Sequence, residues 1–221
     1  EIMPSLVGSE MCIRDRCTTH GLDWKRAKWG TIGQDYLKFG EKMIGKYADE
    51  IIVLNDPMKE YFRETYGRAT NVIPNGVEIP KLKEAEIIKD KWHLEKESYL
   101  LYLGRLVPEK GIHYLIEAYK KLNTDKKLVI AGGSSHSDDY VERLAAMAID
   151  NDNIIMTGFV SGQTLEELYS NAYVYILPSD VEGLPISLLE AMSYRRCCLV
   201  SDIKENVTTC REYGFSFQQG N

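Results

Sequence analysis

Two glutamates eight positions apart, Glu182 and Glu190, flank a Gly183-Leu184-Pro185 turn in the run Pro178-Ser179-Asp180-Val181-Glu182-Gly183-Leu184-Pro185-Ile186-Ser187-Leu188-Leu189-Glu190. A carboxylate accepts from two neighbouring hydroxyls at once, so such a pair could hold the diol of a ribose or a pyranose ring. Glutamate is mostly an exposed residue, and two solvated side chains are the competing reading. A second set is cationic: Arg105 and Lys110 lie in Gly104-Arg105-Leu106-Val107-Pro108-Glu109-Lys110-Gly111. An arginine fork binds two oxygens and a lysine adds a point charge, so this stretch could cradle a diphosphate; otherwise it is a basic loop in water. His20, in Thr19-His20-Gly21, is a third candidate, although a lone histidine is usually structural.

The surrounding elements decide which of these can meet. Tyr173-Val174-Tyr175-Ile176-Leu177 reads as a strand ended by Pro178 and Ser179, while Leu188, Leu189 and Met192 fall at helical spacing. The order is strand, loop, helix. Pro185 fits the first helical position, and Gly183 lets backbone approach something closely. Free N–H groups around Gly183 and Leu184 would then face a hydroxyl-rich or anionic ligand. Further strands are predicted at Tyr99–Leu103, Leu128–Ala131, Asn153–Met156 and Cys197–Val200, with helices at Ile112–Leu122, Asp139–Ala148, Leu165–Asn171 and Ile186–Tyr194. Alternation at this spacing implies βαβ units and a doubly wound parallel sheet. Ligands bind such a sheet outside the carboxyl ends of its strands, the edge where Arg105, Lys110, Glu182 and the Gly132-Gly133 pair fall. A lone Gly-Gly is weak evidence, and an ordinary turn is the preferred reading there.

Upstream, a strand tail at Cys17-Thr18-Thr19, a helix over Gln34–Ala48, a strand at Glu50–Leu54 and a helix over Pro57–Tyr66 lead to Ile73-Pro74-Asn75-Gly76-Val77, whose Pro-Asn-Gly is a turn signal. These read as the last units of an α/β domain over 17–80, followed by a charged linker at 81–97 and a second domain at 98–221 that stops short of its own end. Residues 1–16 have neither helical nor strand periodicity; they resemble a translated sequencing adapter and are expected to be a leader foreign to the fold.

At 221 residues the chain can bury a substantial core, and 44% hydrophobic with 27% charged residues is the balance of a globular protein in water. A net charge of −6 argues against nucleic acid as a partner. The apolar runs are too short to span a bilayer, which leaves peripheral membrane contact open. Five cysteines, Cys12, Cys17, Cys197, Cys198 and Cys210, lack zinc-ligand spacing, and their odd number favours reduced thiols. His93, His113 and His136 have no supporting context. The cluster Trp24-Lys25-Arg26-Ala27-Lys28-Trp29 could shape an acceptor or lipid-headgroup site, or pack on the core at a helix entry.

Together, Glu182-x7-Glu190, Gly104-Arg105 with Lys110-Gly111, Ile73-Pro74-Asn75-Gly76-Val77 and Thr19-His20-Gly21 resemble the retaining nucleotide-sugar glycosyltransferases of family 4. The start His20-Gly21-Leu22-Asp23-Trp24-Lys25-Arg26 is most similar to a bacterial rhamnosyltransferase subgroup. The resemblance implies a GT-B fold of two facing Rossmann-like, doubly wound domains, the first only partly present here and the second nearly complete. It implies that Arg105 and Lys110 hold the donor diphosphate with help from N–H groups near Gly183, Leu184 and Pro185. In the same scheme Glu190 holds the ribose, Glu182 contacts the donor sugar, and His20 approaches from the first domain. The resemblance also implies a nucleoside-diphosphate sugar as donor, with no further cofactor and no metal. It implies a saccharide or lipid-linked acceptor and a cytoplasmic location with peripheral contact at the inner face of the membrane. Asp150-Asn151-Asp152 matches the Asp-x-Asp of metal-dependent sugar transferases only superficially, because it precedes its strand and so lies at the other edge of the sheet. Tyr194-Arg195-Arg196-Cys197-Cys198 departs from the family, which usually carries a Gly and a Pro there. A nucleotide-sugar epimerase of similar fold, or a chain that binds nucleotide without transfer, are the alternatives.

Overall fold

Two parallel sheets divide the chain. The computed structural model describes residues 14–22, 24, 30–135 and 137–220. Most of the expected leader, Cys12, His136 and all of the Trp24–Trp29 cluster except Trp24 lie outside the described residues. The first sheet is built from β1 (Arg16–Thr19), α1 (Thr31–Tyr47), β2 (Glu50–Val53), α2 (Asp56–Tyr66) and β3 (Asn71–Val72), with strand order β1-β2-β3. β1 begins at Arg16, inside the stretch expected to be a leader, because Arg16 pairs in register with Glu50. Asn55 caps α2 by accepting from Met58 N, and the helix lays Met58 and Phe62 on Ile51 and Val53 of β2. Beyond β3, Pro74-Asn75-Gly76 runs on as irregular chain and makes no turn; it leads from the first sheet to the second.

The second sheet follows α3 (Ile87–Trp92) with β4 (Tyr99–Leu103), α4 (Ile112–Lys121), β5 (Lys127–Ala131), α5 (Asp138–Ala148) and β6 (Ile154–Gly158). It continues with α6 (Gly162–Asn171), β7 (Val174–Leu177), α7 (Ile186–Ser193), β8 (Cys197–Ser201), α8 (Lys204–Cys210) and β9 (Gly214–Phe217). All pairings are parallel in the order β6-β5-β4-β7-β8-β9. The chain winds outward from β4 to β6, then crosses back to pair β7 with β4. That reversal is the topological switch point of a doubly wound sheet, where strand-end loops part and leave a crevice. The strands are near-continuous apolar runs because helices cover both faces: Leu101, Val129, Tyr175 and Val200 are buried beneath α4 to α8.

The stretch expected as a linker at 81–97 carries α3, whose Ile88 is fully buried in this core. The cause is Glu167 of α6, itself inaccessible to solvent, whose Oε2 accepts from the backbone N–H groups of Glu86 and Ile88 at 3.1 Å each while Oε1 accepts from Gln163. A buried carboxylate that satisfies the open N–H groups of a short helix fixes that helix in place. α8 and β9 were also not expected: Lys204–Cys210 is too short and polar to show a period, and Gly214–Phe217 is a four-residue edge strand.

Candidate functional site

The switch point brings two loops together. The first leaves β4 at Gly104, and its backbone is tied down at three points. Gly104 N donates to Ala131 O, Leu106 N to Gly133 O, and the buried Tyr102 hydroxyl to the Arg105 carbonyl at 2.9 Å. Burial pushes the Tyr102 phenol far above its ordinary pKa, so it remains a neutral donor. Arg105 thus has a fixed backbone and an exposed side chain. Among the described residues its guanidinium has no carboxylate partner.

The second loop leaves β7 at Pro178 and enters α7 after Pro185, which stands at the N-cap with extended backbone, one place before the first helical position expected for it. Its carbonyl accepts from the N–H groups of Leu188 and Leu189. Ser179 is buried; its hydroxyl donates to Glu182 Oε1 at 2.6 Å, and its carbonyl accepts from Ser201. The loops touch directly. Asp180 N donates to Glu109 O, and Gly111, at φ +67, packs so tightly that a Cβ there would lie 2.1 Å from the Pro178 carbonyl oxygen.

Across this contact Lys110 Nζ donates to Glu182 Oε1 at 2.5 Å, with the side chains only 12% and 7% exposed. Lys110, expected as a point charge, is therefore a paired cation, while the Arg105 fork has no carboxylate partner among the described residues. Arg105, Lys110, Glu182 and Gly183 line one cavity with Gly21 and Leu22 of the first unit. At about 30 Å³ it has room for about two waters.

The other candidates fall elsewhere. Glu190 lies five residues into α7 and lines a separate cavity of about 620 Å³ between α6, α7 and the Gly76–Lys83 chain. Its Oε2 accepts from the Tyr169 hydroxyl at 2.8 Å. That phenol is held neutral by burial and by the nearby Tyr175 and Glu190, and its ring stacks on Tyr194 at 5.1 Å. Tyr169→Phe keeps the stack and removes the donor. We expect it to cost about 1.5–3 kcal/mol of stability in urea unfolding, the worth of a hydrogen bond to a charged group.

His20 lines a third cavity, about 390 Å³, with Trp24, Tyr36 and Glu41 of the first unit, while its carbonyl packs on Gly183. Trp24 Nε1 donates to Glu41, which also accepts from Tyr61 and Tyr66. Leu184 lines a fourth cavity with Asn55, Asn75 and Met192. His113, in the first turn of α4, rests against the Tyr140 hydroxyl, its pKa lowered by burial and then by Arg143. Asp150-Asn151-Asp152 precedes β6, at the opposite edge of the sheet. Sequence reasoning missed Ser179, Tyr169 and Asn55. Ser179 had a signal in its place three residues before Glu182, within reach for a hydroxyl-to-carboxylate bond.

Comparison with known proteins follows the same division. Residues 84–220 match the family described as glycosyl transferases group 1, and residues 16–78 match a domain of unknown function, DUF1972. The O-antigen chain mannosyltransferase RfbU of Salmonella typhimurium is 32% identical over 78% of this chain and 47% of its own length. An Escherichia coli UDP-Gal:alpha-D-GlcNAc-diphosphoundecaprenol alpha-1,3-galactosyltransferase is 27% identical over 86% of this chain and 51% of its own. The chain thus spans about half the length of these curated relatives. Among solved structures, Anabaena Alr3699/HepE in complex with UDP and glucose superposes with a TM-score of 0.79 at 18% identity, covering 93% of this chain and 58% of that one. The shared architecture is that of the GT-B glycosyltransferases.

Proposed function

The chain belongs to the glycosyl transferases group 1 family, and from that premise we propose that the protein moves a sugar from a nucleoside-diphosphate sugar to an acceptor hydroxyl with retention of configuration. The observation that carries this reading is the meeting of the Arg105–Lys110 loop with the Glu182–Gly183 loop at the switch point. Arg105 and Lys110 hold the diphosphate and offset the negative charge that grows on it as it leaves. The N–H groups at Gly183 and Leu184 and the start of α7 add to that field. Glu190 takes the ribose hydroxyls, Glu182 the donor sugar, and His20 approaches from the first unit. The acceptor hydroxyl attacks from the face the diphosphate leaves; as the new C–O bond forms and the old one breaks, the departing phosphate oxygen takes the hydroxyl proton. The two cations supply the charge compensation, so no step calls on a metal.

For the sugar we propose rhamnose, on the His20–Arg26 start, and for the setting cell-surface polysaccharide assembly, which the names of the relatives support. The proposed acceptor is a saccharide, free or lipid-linked. The proposed location is the cytoplasm, with peripheral contact at the inner face of the membrane. Among the described residues no helix is long and apolar enough to cross a membrane.

The Lys110–Glu182 pair yields a two-sided prediction. Glu182→Gln frees Lys110 for phosphate while removing the proposed sugar contact. We expect UDP alone to bind about tenfold tighter, a gain of about 1.4 kcal/mol, and sugar turnover to fall. Calorimetry and a turnover assay on the same protein check both halves. The reading as a whole is tested by incubating the protein with nucleoside-diphosphate rhamnose, mannose, galactose and glucose, with and without a saccharide acceptor. Transfer that requires acceptor and keeps the anomeric configuration is the expected result. Conversion of the sugar without acceptor would instead identify an epimerase, and inverted product would overturn the proposed mechanism.

A further inference from the structure

We propose that Asn55 is a positioning residue, a latch by which the first unit holds the Glu182–Leu184 loop of the second in its closed place. Its amide is shared between two tasks. Oδ1 accepts from Met58 N at 3.0 Å and caps α2, while Nδ2 donates to the Gly183 carbonyl at 2.6 Å, 128 residues further along the chain. Asn55 is 7% exposed, so water is a poor substitute for either partner. Asparagine suits the position because it accepts with one atom and donates with another: aspartate caps a helix equally well but is acceptor-only, and serine has a single oxygen, one atom nearer its backbone, for both partners.

The backbone supports the same contact. A Cβ on Gly183 would lie 2.0 Å from the His20 carbonyl oxygen, and one on Gly21 would lie 3.3 Å from Gly183 Cα. The chain ends after β1 and after β2 therefore both bear on one residue of the second unit. That residue sits between Glu182, tied to Lys110 and Ser179, and Leu184, on the way into α7. Moving the Gly183 carbonyl moves both. The cavity at Glu182 is too small for a nucleotide, so a donor enters only when this contact parts and is held when it re-forms.

The inference rests on the donor-site reading for its consequence but not for its geometry, and two measurements keep them apart. In isotope-labelled chain, Asn55→Asp and Asn55→Ser should each shift the Gly183 carbonyl carbon and the Leu184 amide nitrogen while the Met58 and Lys59 Cα carbons keep their helical shifts, because the cap is kept. Unmoved Gly183 and Leu184 signals in both variants would overturn the latch, as would shifts confined to α2. Should the aspartate variant fold poorly, the serine variant carries the test. In stopped-flow binding, both variants should take up UDP about fivefold faster, the factor a single neutral hydrogen bond is worth. An unchanged rate would overturn the link between latch and ligand entry. If wild type does not bind UDP while the resonance shifts occur, the donor-site reading fails and the latch stands.

Discussion

Arg105→Ala is expected to weaken binding of a nucleoside diphosphate by about two orders of magnitude without loss of folded stability. The residue's backbone is pinned by the Tyr102 hydroxyl and by the pairing of the Gly104 and Leu106 N–H groups, so the fork leaves a fixed point. Its charge is uncommitted among the described residues, whereas Lys110 is already neutralised by Glu182. Each charge-assisted hydrogen bond is worth about 1.5–3 kcal/mol, and a bidentate pair that loses about 3 kcal/mol loses about a hundredfold in affinity. Arg105→Lys keeps the charge but not the fork and should fall between the two. Stability should move by no more than about 0.5 kcal/mol, the range of an exposed surface substitution. Calorimetric titration with UDP beside urea unfolding separates the two effects. Lys110→Ala is a poorer probe, because it strands the buried Glu182 carboxylate and mixes binding with folding.

Gly111→Ala should destabilise the chain by about 3 kcal/mol or more, two costs adding. The left-handed backbone at φ +67 disfavours any side chain by about 1–2 kcal/mol. The added Cβ would also sit 2.1 Å from a backbone oxygen at Pro178 and 3.0 Å from the Tyr114 ring, and a carbonyl held in a loop between β7 and Ser201 cannot turn aside as a flexible side chain would. Relief requires the two switch-point loops to separate, which pulls Lys110 from Glu182. Nucleotide binding should therefore fail along with stability. Gly76→Ala is the matched control: its backbone is ordinary and nothing lies within 4 Å of an added Cβ, so its midpoint in urea should stay near wild type.

The comparison of these two glycines shows where sequence reasoning stops. The strand-helix rhythm of β4 to β8 was legible because both-face burial writes apolar runs of strand length between amphipathic stretches, and the edge rule then put Arg105, Lys110 and Glu182 on one side. Gly111 was visible as a residue before a helix, but its tight contact with Pro178 depends on which strands become neighbours, and pairing of β4 with β7 is a long-range event. Glu182 was legible as a loop residue and Glu190 as a helical one, but they read as one pair because spacing along the chain does not state that Glu190 turns to Tyr169 and lines a different cavity. Glu167 falls inside the helix expected at Leu165–Asn171 and drew no separate reading. With Gln163 and Asn171 it forms a polar column at helical spacing, and only the position of α3 turns that column inward. Asn55 was passed over although it stands just before the helix expected at Pro57–Tyr66, and its hydrogen bond to Gly183 crosses to the other sheet and left no local trace.

In the proposed binding mode the switch-point crevice of the second sheet receives the diphosphate, with the ribose at Glu190. A crystal structure of the chain soaked with UDP tests it most directly. The predicted result places phosphate oxygens within hydrogen-bond distance of the Arg105 guanidinium and Lys110 Nζ, the Lys110–Glu182 contact opened, and the ribose hydroxyls on the Glu190 carboxylate. Density for UDP in the cavity beside His20 and Tyr36, or a nucleotide bound with Lys110 still paired to Glu182 and Glu190 untouched, would contradict it.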